Sequence, residues 1–476
     1  MSDIDFYLKQ VNYKLKETPL FYIANDAERA LGLEGLLENF FIVCMDDSDI
    51  YSNIHTKYGN IFSLENKTGE LNAVFRSSAK LLDSELVKEF IEQKSQGKKD
   101  RFFQTFKITT AFEQRAENYG VKVLNTTSEL NKKFENKLSQ YTTLSANDIA
   151  FPKTIIGKLS DYSFKKLKKQ LGQKFVVQFN RGHTGSGTKM IDNESEYVEL
   201  QNIFPERVAR ISTFVEGLAY TINACIGKNG IFIGGLNYQI TGVEEIAPSK
   251  GATVGNDFNY RKLVDAEMKK QIIKEVTMIG EVMRGNGFVG LFGVDLIIGE
   301  DETLSIIEIN ARQPASIPFF TKLQLRNGQV PLSLIHLIEF LGIANHIDAD
   351  KYSETNTEPF NAGQLFLRNI GTNPFVVNGQ LKTGVYKITG NADNKCLNSI
   401  KMDDHTEKTL CYIKEGYTIE DIDEAGFLLI TQLKGKRVNS GKELARIQSL
   451  QPLVDNMGKP FSWAIETLRT VKEYIN

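Results

Sequence analysis

Short apolar runs alternate with polar, helix-compatible stretches through the first part of the chain. Leu20 to Ala24 and Phe40 to Met45 read as buried strands, and Asn25 or Asp26 is placed to cap a helix running to about Asn39 between them. The same pattern recurs in Phe102 to Lys107, a helix through Glu117 stopped by Gly120, and Val121 to Leu124. Buried strands separated by helices predict a parallel sheet covered on its faces. No glycine-rich turn follows the first strand, so this open-sheet unit lacks a dinucleotide-binding signature.

Thr126 with Glu129 has the spacing of a capping box and predicts a helix to about Tyr141, with a break at Pro152. A strand is predicted near Thr154 to Ile156, a helix from Ser163 to Leu171, and a strand from Phe175 to Asn180. Long β-type runs follow: Val208 to Val215, Ala219 to Ile226 and Ile231 to Ile240, the last leading into a polar loop through Asn259. Asp265 caps a predicted helix to Arg284, which Gly285 stops. Two runs, Gly290 to Ile298 and Leu304 to Ile309, flank the turn-like Gly299-Glu300-Asp301-Glu302-Thr303. A helix over about Val330 to Phe340, β-type runs at Gln364 to Arg368 and Val385 to Ile388, and an amphipathic helix from Ser462 to Ile475 complete the pattern.

Composition narrows the function classes. The 476 residues are 41% hydrophobic and 24% charged, so a sizeable core is available and wholesale disorder is excluded. A net charge of −2 gives no basic excess for nucleic acid or an anionic membrane, and Lys165, Lys166, Lys168 and Lys169 read as one solvated helix face. No apolar run approaches a membrane span, and the opening residues carry no secretory signal. Cys44, Cys225, Cys396 and Cys411 are scattered, and the five histidines do not pair at metal-ligand spacings. A disulfide framework and structural zinc are therefore not expected, and the expected compartment is the cytoplasm.

Two stretches carry candidate chemistry. Gly182, Gly185 and Gly187 follow an apolar strand in Arg181-Gly182-His183-Thr184-Gly185-Ser186-Gly187-Thr188-Lys189. Glycines there let backbone amides approach a polyanion. The order fits neither a Walker loop nor a dinucleotide fingerprint, so the segment reads as a hairpin loop, either a phosphate cover or an ordinary flexible turn. The second stretch is the hairpin at 290–310. Residues two apart on a strand share a face, so Glu308 and Asn310 point together. Pairing Gly299 with Leu304 and counting back places Asp295 opposite Glu308. Two carboxylates and an amide oxygen then converge, which is costly unless a cation neutralises them. Such all-oxygen donors suit Mg²⁺ shared with substrate phosphates. The alternative is a solvated polar strand face. Arg312, two positions beyond Asn310, adds a cationic arm.

The order of these marks resembles the ATP-grasp superfamily of carboxylate–amine ligases. The marks are Phe175-Val176-Val177-Gln178 leading into Gly182 to Thr188, the hinge Phe214-Val215-Glu216-Gly217, and Gly293-Val294-Asp295 with Glu308-Ile309-Asn310-Ala311-Arg312. The resemblance implies a mixed α/β and α+β protein in three parts. Residues 1–125 would be an open parallel-sheet domain. Residues 126–341 would be the ATP-grasp domain, with a nucleotide lobe at 126–215 and a metal and substrate lobe at 216–341. Residues 342–476 would be a β-rich region with a terminal helix.

What the resemblance implies for chemistry is an ATP clamped between two lobes. Its phosphates would lie under Gly182, His183, Thr184, Gly185, Ser186, Gly187 and Thr188, and its adenine against Phe214, Val215 and Glu216. Mg²⁺ (or Mn²⁺) would be held by Asp295, Glu308 and Asn310. Lys137 matches a phosphate-binding lysine, and Arg312 an arginine that stabilises the transferred phosphoryl group. Three positions depart from the family pattern: Gln178 stands where a second lysine is common, Thr213 where an acid often meets adenine, and Ala219 where an acid often meets ribose. Implied substrates are a small carboxylate and an amine, amino acids or peptides first among them, with no nucleic-acid or membrane partner and a homodimer left open. Residues lining the substrate site are expected in 237–259, near Arg312 and in the N-terminal domain. A synapsin-like ATP-binding module without turnover is an alternative, and a biotin-carboxylase-like enzyme is disfavoured by Gln313-Pro314-Ala315-Ser316.

Overall fold

The computed structural model describes residues 2–476 apart from 73–75, 181–186, 248, 250, 261–263, 380, 391–395, 403–407 and 424–425. The N-terminal domain holds a five-stranded parallel sheet in the order Ile61–Ser63, Phe40–Cys44, Leu20–Ala24, Phe102–Thr105, Lys122–Val123. Its two faces bury alternate residues: Leu20, Tyr22, Phe40 and Ile42 on one side, Phe21, Ile23, Phe41, Val43 and Phe103 on the other. Near-continuous apolar strands are what a sheet covered on both faces requires.

The helix expected between Asp26 and Asn39 is only a short 3-10 turn, Ala27–Ala30. Gly32 and Gly35 break it: both have positive φ, and a side chain at either would collide with Thr321 or Tyr58. The segment is spent on a tertiary contact, with buried Glu34 pairing Lys322 at 2.9 Å.

The predicted helix from Thr126 to Tyr141 is two helices, Ser128–Glu135 and Lys137–Leu144. Thr127, one residue later than expected, is the first cap, and Asn136 caps the second helix by accepting from the Leu138 and Ser139 amides. This puts Lys137 at a helix start facing the hairpin.

A small antiparallel sheet, ordered Thr154–Lys158, Val208–Thr213, Phe175–Gln178, Thr188–Ile191, carries the helices Phe164–Leu171 and Glu194–Ile203 on its apolar face. Lys165, Lys166, Lys168 and Lys169 are exposed, as their pattern predicts.

Eleven strands form one further antiparallel sheet. Its order begins Leu304–Asn310, Gly290–Gly299, Gly217–Gly227, Gly230–Thr241, Thr253–Asp257, then continues through Gly363–Arg368 and Glu443–Ser449 into the C-terminal strands. Strands from either side of residue 342 thus share one sheet. Thr253–Asp257 lies in what the polar sequence predicts as loop; its residues pair with Tyr238 to Thr241 and Gly363 to Leu365. The helices Ile317–Arg326 and Ala349–Asn356 are further additions, the former opening with proline in its first turn, where the missing amide costs nothing. The terminal helix Ser462–Ile475 packs as predicted. Contrary to the expectation of no disulfide, Cys396 and Cys411 are bonded: pairing of Asn398–Lys401 with Thr409–Glu415 brings together thiols fifteen residues apart.

Candidate active site

The hairpin at 290–310 sets Asp295 opposite Glu308. The route differs from simple counting. Ile298, and not Gly299, pairs with Leu304, and a bulge after Asp295 restores the alignment. Gly299 instead closes the turn, its amide donating to the Thr303 carbonyl at 2.9 Å, with Glu302 in the left-handed region. Gly293 pairs with Asn310, so the amide falls beside the carboxylates: Asn310 Nδ2 donates to Asp295 Oδ2 at 3.0 Å.

Cations close around this patch. Lys137 Nζ meets Glu308 Oε2 at 2.5 Å. Arg312 Nη2 donates to Asn310 Oδ1 at 2.9 Å, and its Nε reaches Glu135 Oε1 at 3.2 Å. Glu135 also takes Lys107 at 2.5 Å. Burial alone would raise the Glu135 carboxyl, yet Arg312 and Lys107 outweigh it and hold it below its ordinary value. Asp295 goes the other way: burial and then the facing Glu308 push it up to about 6, against hydrogen bonds from Thr221 and Asn310. A buried carboxylate raised by its like-charged neighbour is the electrostatic signature of a place a cation would relieve.

Among the described residues no group of three or more His, Cys, Asp or Glu could hold a metal ion. Asp295, Glu308 and Asn310 offer two carboxylates and one amide oxygen. That donor set fits a divalent ion that shares its coordination with phosphate oxygens, not a cage made of protein alone.

The glycine loop falls largely outside the described residues: Gly182, His183, Thr184, Gly185 and Ser186 belong to 181–186. Its flanks do pair antiparallel, Gln178 with Thr188, and Gly187 accepts from the Phe179 amide at 2.8 Å. Phe214, Val215 and Glu216 form the link between the small and large sheets, Phe214 and Val215 half-buried and Glu216 exposed. Gly217 begins the next strand so close to its neighbour that a Cβ would sit 2.1 Å from the Ile298 carbonyl oxygen.

Sequence reasoning missed Arg210. It pairs directly with Gln178, the position lacking the second lysine, and is 1% exposed. Its guanidinium lies beside the contacting Tyr141 and Phe151 rings, 5.6 and 5.4 Å from their centres, and donates to the Ile307 carbonyl at 2.9 Å, while Nε has no hydrogen-bond partner among the described residues. Burial pushes it down to about 10, so it keeps its charge at neutral pH. A cation thus stands one strand over from the expected one.

A polar stripe extends from the carboxylates across the large sheet. Directly paired residues share a face, and Glu308, Asp295, Thr221, Asn237, Gln239, Asn256, Gln364 and Gln448 all fall on one. Thr221 Oγ1 and Gln239 Nε2 donate to Asp295 Oδ1 at 2.6 and 3.0 Å. Asn256 donates to Asn237 at 2.7 Å, Gln364 to Asn256 at 3.1 Å, and Gln448 to Gln364 at 3.3 Å. Thr221, Asn237 and Gln239 lie on predicted strands and could have been found by register; Asn256, Gln364 and Gln448 depend on the unpredicted strand Thr253–Asp257.

Residues 134–316 match the ATP-grasp domain family. The chain is 26% identical over 154 residues to the [butirosin acyl-carrier protein]–L-glutamate ligase of Niallia circulans, a stretch covering 32% of this chain and 36% of that protein. The chain thus matches only about a third of that relative's length. Among solved structures, carboxyaminoimidazole ribonucleotide synthase from Aspergillus clavatus, complexed with ATP, superimposes with a TM-score of 0.55 at 11% identity, covering 96% of this chain and 99% of that one. An L-amino acid ligase from Bacillus licheniformis gives 0.52 at 13% identity, covering 96% and 97%. At such identities these likenesses establish the fold.

Proposed function

We propose that this chain, which belongs to the ATP-grasp superfamily, is an ATP-dependent ligase that activates a carboxylate as an acyl phosphate and joins it to an amine. The observation that supports this best is the convergence of Asp295 and Glu308 with Asn310, Lys137 and Arg312 on one face of the sheet. A carboxylate oxygen attacks the γ-phosphorus; the bond from that phosphorus to the β–γ bridging oxygen breaks and ADP leaves. The amine nitrogen then attacks the acyl carbon. Its C–N bond forms as the C–O bond to phosphate breaks; phosphate departs with the electron pair and takes up the proton that the nitrogen releases.

Within that reaction Lys137 and Arg312 bring positive charge to the phosphates, and Arg210 adds a cation beside Gln178. A divalent ion held by Asp295, Glu308 and Asn310 would supply charge neutralisation at the β- and γ-phosphates. Glu135, pinned by Lys107, fixes the Arg312 guanidinium against the Asn310 oxygen. In this reading the hinge at Phe214 to Glu216 lets the small sheet close over the nucleotide and exclude water from the acyl phosphate. The departures at Thr213 and Ala219 leave the purine and ribose contacts to main-chain groups in this reading.

Screening ATP consumption against pairs of amino acids and small carboxylates tests the proposal, with hydroxylamine added to trap the acyl phosphate as a hydroxamate. Substrate-dependent ADP release and trapping are expected from the wild type and not from Glu308→Gln. ADP formation unchanged by that substitution would sink the assignment. No helix among the described residues is long and apolar enough to cross a membrane.

A further inference from the structure

The strand Leu304–Asn310 carries Glu308 and Asn310, yet it is the outermost strand of the large sheet, paired among the described residues only with Gly290–Gly299. An edge strand leaves a row of main-chain groups outside the ladder. The ladder is also interrupted where the chemistry lies. Asp295 pairs with Glu308 and Leu296 with Ile306, so Ile307 is the extra residue of a bulge directly beside Glu308. The sheet alone therefore holds this stretch weakly.

Groups from outside the sheet meet its outer main chain instead. The Ile306 amide donates to the Ala150 carbonyl at 2.7 Å, and the Ile307 carbonyl accepts from Arg210 at 2.9 Å. The Ile309 amide donates to Gln140 Oε1 at 2.9 Å, and just past the strand the Ala311 carbonyl accepts from Asn131 Nδ2 at 2.7 Å. Gln140 is fully buried, and its Nε2 turns back to the Glu135 carbonyl at 3.4 Å. Gln140 follows Lys137 by three residues on the helix Lys137–Leu144, so one helix face brings Lys137 to Glu308 and Gln140 to the next main-chain amide. Ile309 separates Glu308 from Asn310, and its own side chain is buried in the core on the opposite face. Holding its amide fixes the roll of the strand, and with it the direction in which Glu308 and Asn310 point. The residue type fits this task. A hydrocarbon would leave the buried amide unpaired, and a carboxylate would add a further negative charge near Asp295 and Glu308.

We infer that Gln140 is a positioning residue of this site: through the Ile309 amide it holds Glu308 and Asn310 toward Asp295, and so sets how tightly a divalent ion binds alongside nucleotide. The inference rests on the reading of Asp295, Glu308 and Asn310 as the ion-holding groups.

Calorimetric titration of ADP onto the full-length chain, once with excess Mg²⁺ and once in EDTA, tests this, because the ratio of the two affinities isolates the ion's share. Gln140→Met, similar in length but without the acceptor, should lower the ratio about tenfold, the usual cost of removing a group behind a metal ligand. Its ADP affinity in EDTA should match the wild type. Glu308→Gln lowers the ratio by itself, and adding Gln140→Met should lower it no further. Lys436→Met, at the joint of the N- and C-terminal regions, should keep the wild-type ratio although its urea midpoint falls. Should Gln140→Met not fold, Gln140→Asn, one carbon short of the Ile309 amide, carries the same expectation. An unchanged ratio, an equal loss with and without Mg²⁺, additive losses in the double variant, or the same fall in Lys436→Met would overturn the inference and leave the ion-holding reading standing. A wild type whose ADP affinity ignores Mg²⁺ would overturn both.

Discussion

Replacing Asp295 by Asn separates what this residue costs the fold from what it gives the chemistry. Its carboxyl is raised from 3.8 to about 6 by burial first and by Glu308 second. A raised acid pKa means that the folded chain keeps a proton which the unfolded chain has released. The penalty is therefore absent below 3.8, grows across the interval and is fully present above about 6. A perturbation of that size corresponds to ~3 kcal/mol. Asn removes it but turns a donor toward Thr221 or Asn310, both of which already donate to Asp295; that mismatch costs about 1–2 kcal/mol. Without a divalent ion, Asp295→Asn should therefore be more stable than the wild type by about 1–2 kcal/mol near neutral pH. Its stability should also vary less between pH 4 and 6. Urea unfolding followed by circular dichroism reads both quantities. With Mg·nucleotide at about a hundred times its Kd the wild type should gain about 2.7 kcal/mol and the variant far less. ADP formation should fall by about a hundredfold or more. A variant less stable than the wild type without the ion, or equal stabilisation of both by Mg·nucleotide, would refute the reasoning.

Two stability predictions concern the joints of the molecule. Gly217→Ala puts a Cβ against the Ile298 carbonyl and should lower stability by about 1–3 kcal/mol; an unmoved urea midpoint would contradict that close approach. Lys436 joins the C-terminal region to the N-terminal domain through Asp46 at 2.9 Å and Glu65 at 2.5 Å, with Lys436 6% and Glu65 1% exposed. Lys436→Met should cost about 3–5 kcal/mol, as buried carboxylates lose their counter-charge. Arg76 already serves Asp46, so a second change, Glu65→Gln, should recover part of the loss; no recovery would argue against a charge effect.

The carboxylate pair was legible because strand periodicity places alternate residues on one face whatever the tertiary surroundings. Counting from the turn was wrong by one pair at Leu304, and the bulge after Asp295 corrected it. Lys137 was named by the family resemblance alone, and its approach to Glu308 depends on a helix break at Asn136, of which an asparagine inside a helical pattern gives little warning. Arg210 was not legible at all, since an arginine on a strand looks like a solvent-facing residue until the tertiary fold buries it against Tyr141 and Phe151. The missing helix after Asp26 shows tertiary contact overriding local preference: Gly32 and Gly35 are used to pass Thr321 and Tyr58. The polar stripe stayed hidden because Thr253 to Asp257 has the composition of a loop. Cys396 and Cys411 looked unrelated because only strand pairing brings them together.

The amides that floor the route from Asp295 to Gln448 are electrically neutral and can each give or take a proton bridge by a half-turn of the side chain. Such a floor can be re-graded one rung at a time. Exchanging Gln364 or Gln448 for an aliphatic or an acidic residue would change the polarity of the far end, while the carboxylates at the near end kept their own hydrogen bonds. One sheet face thus carries a charged end and a neutral end that can be altered separately.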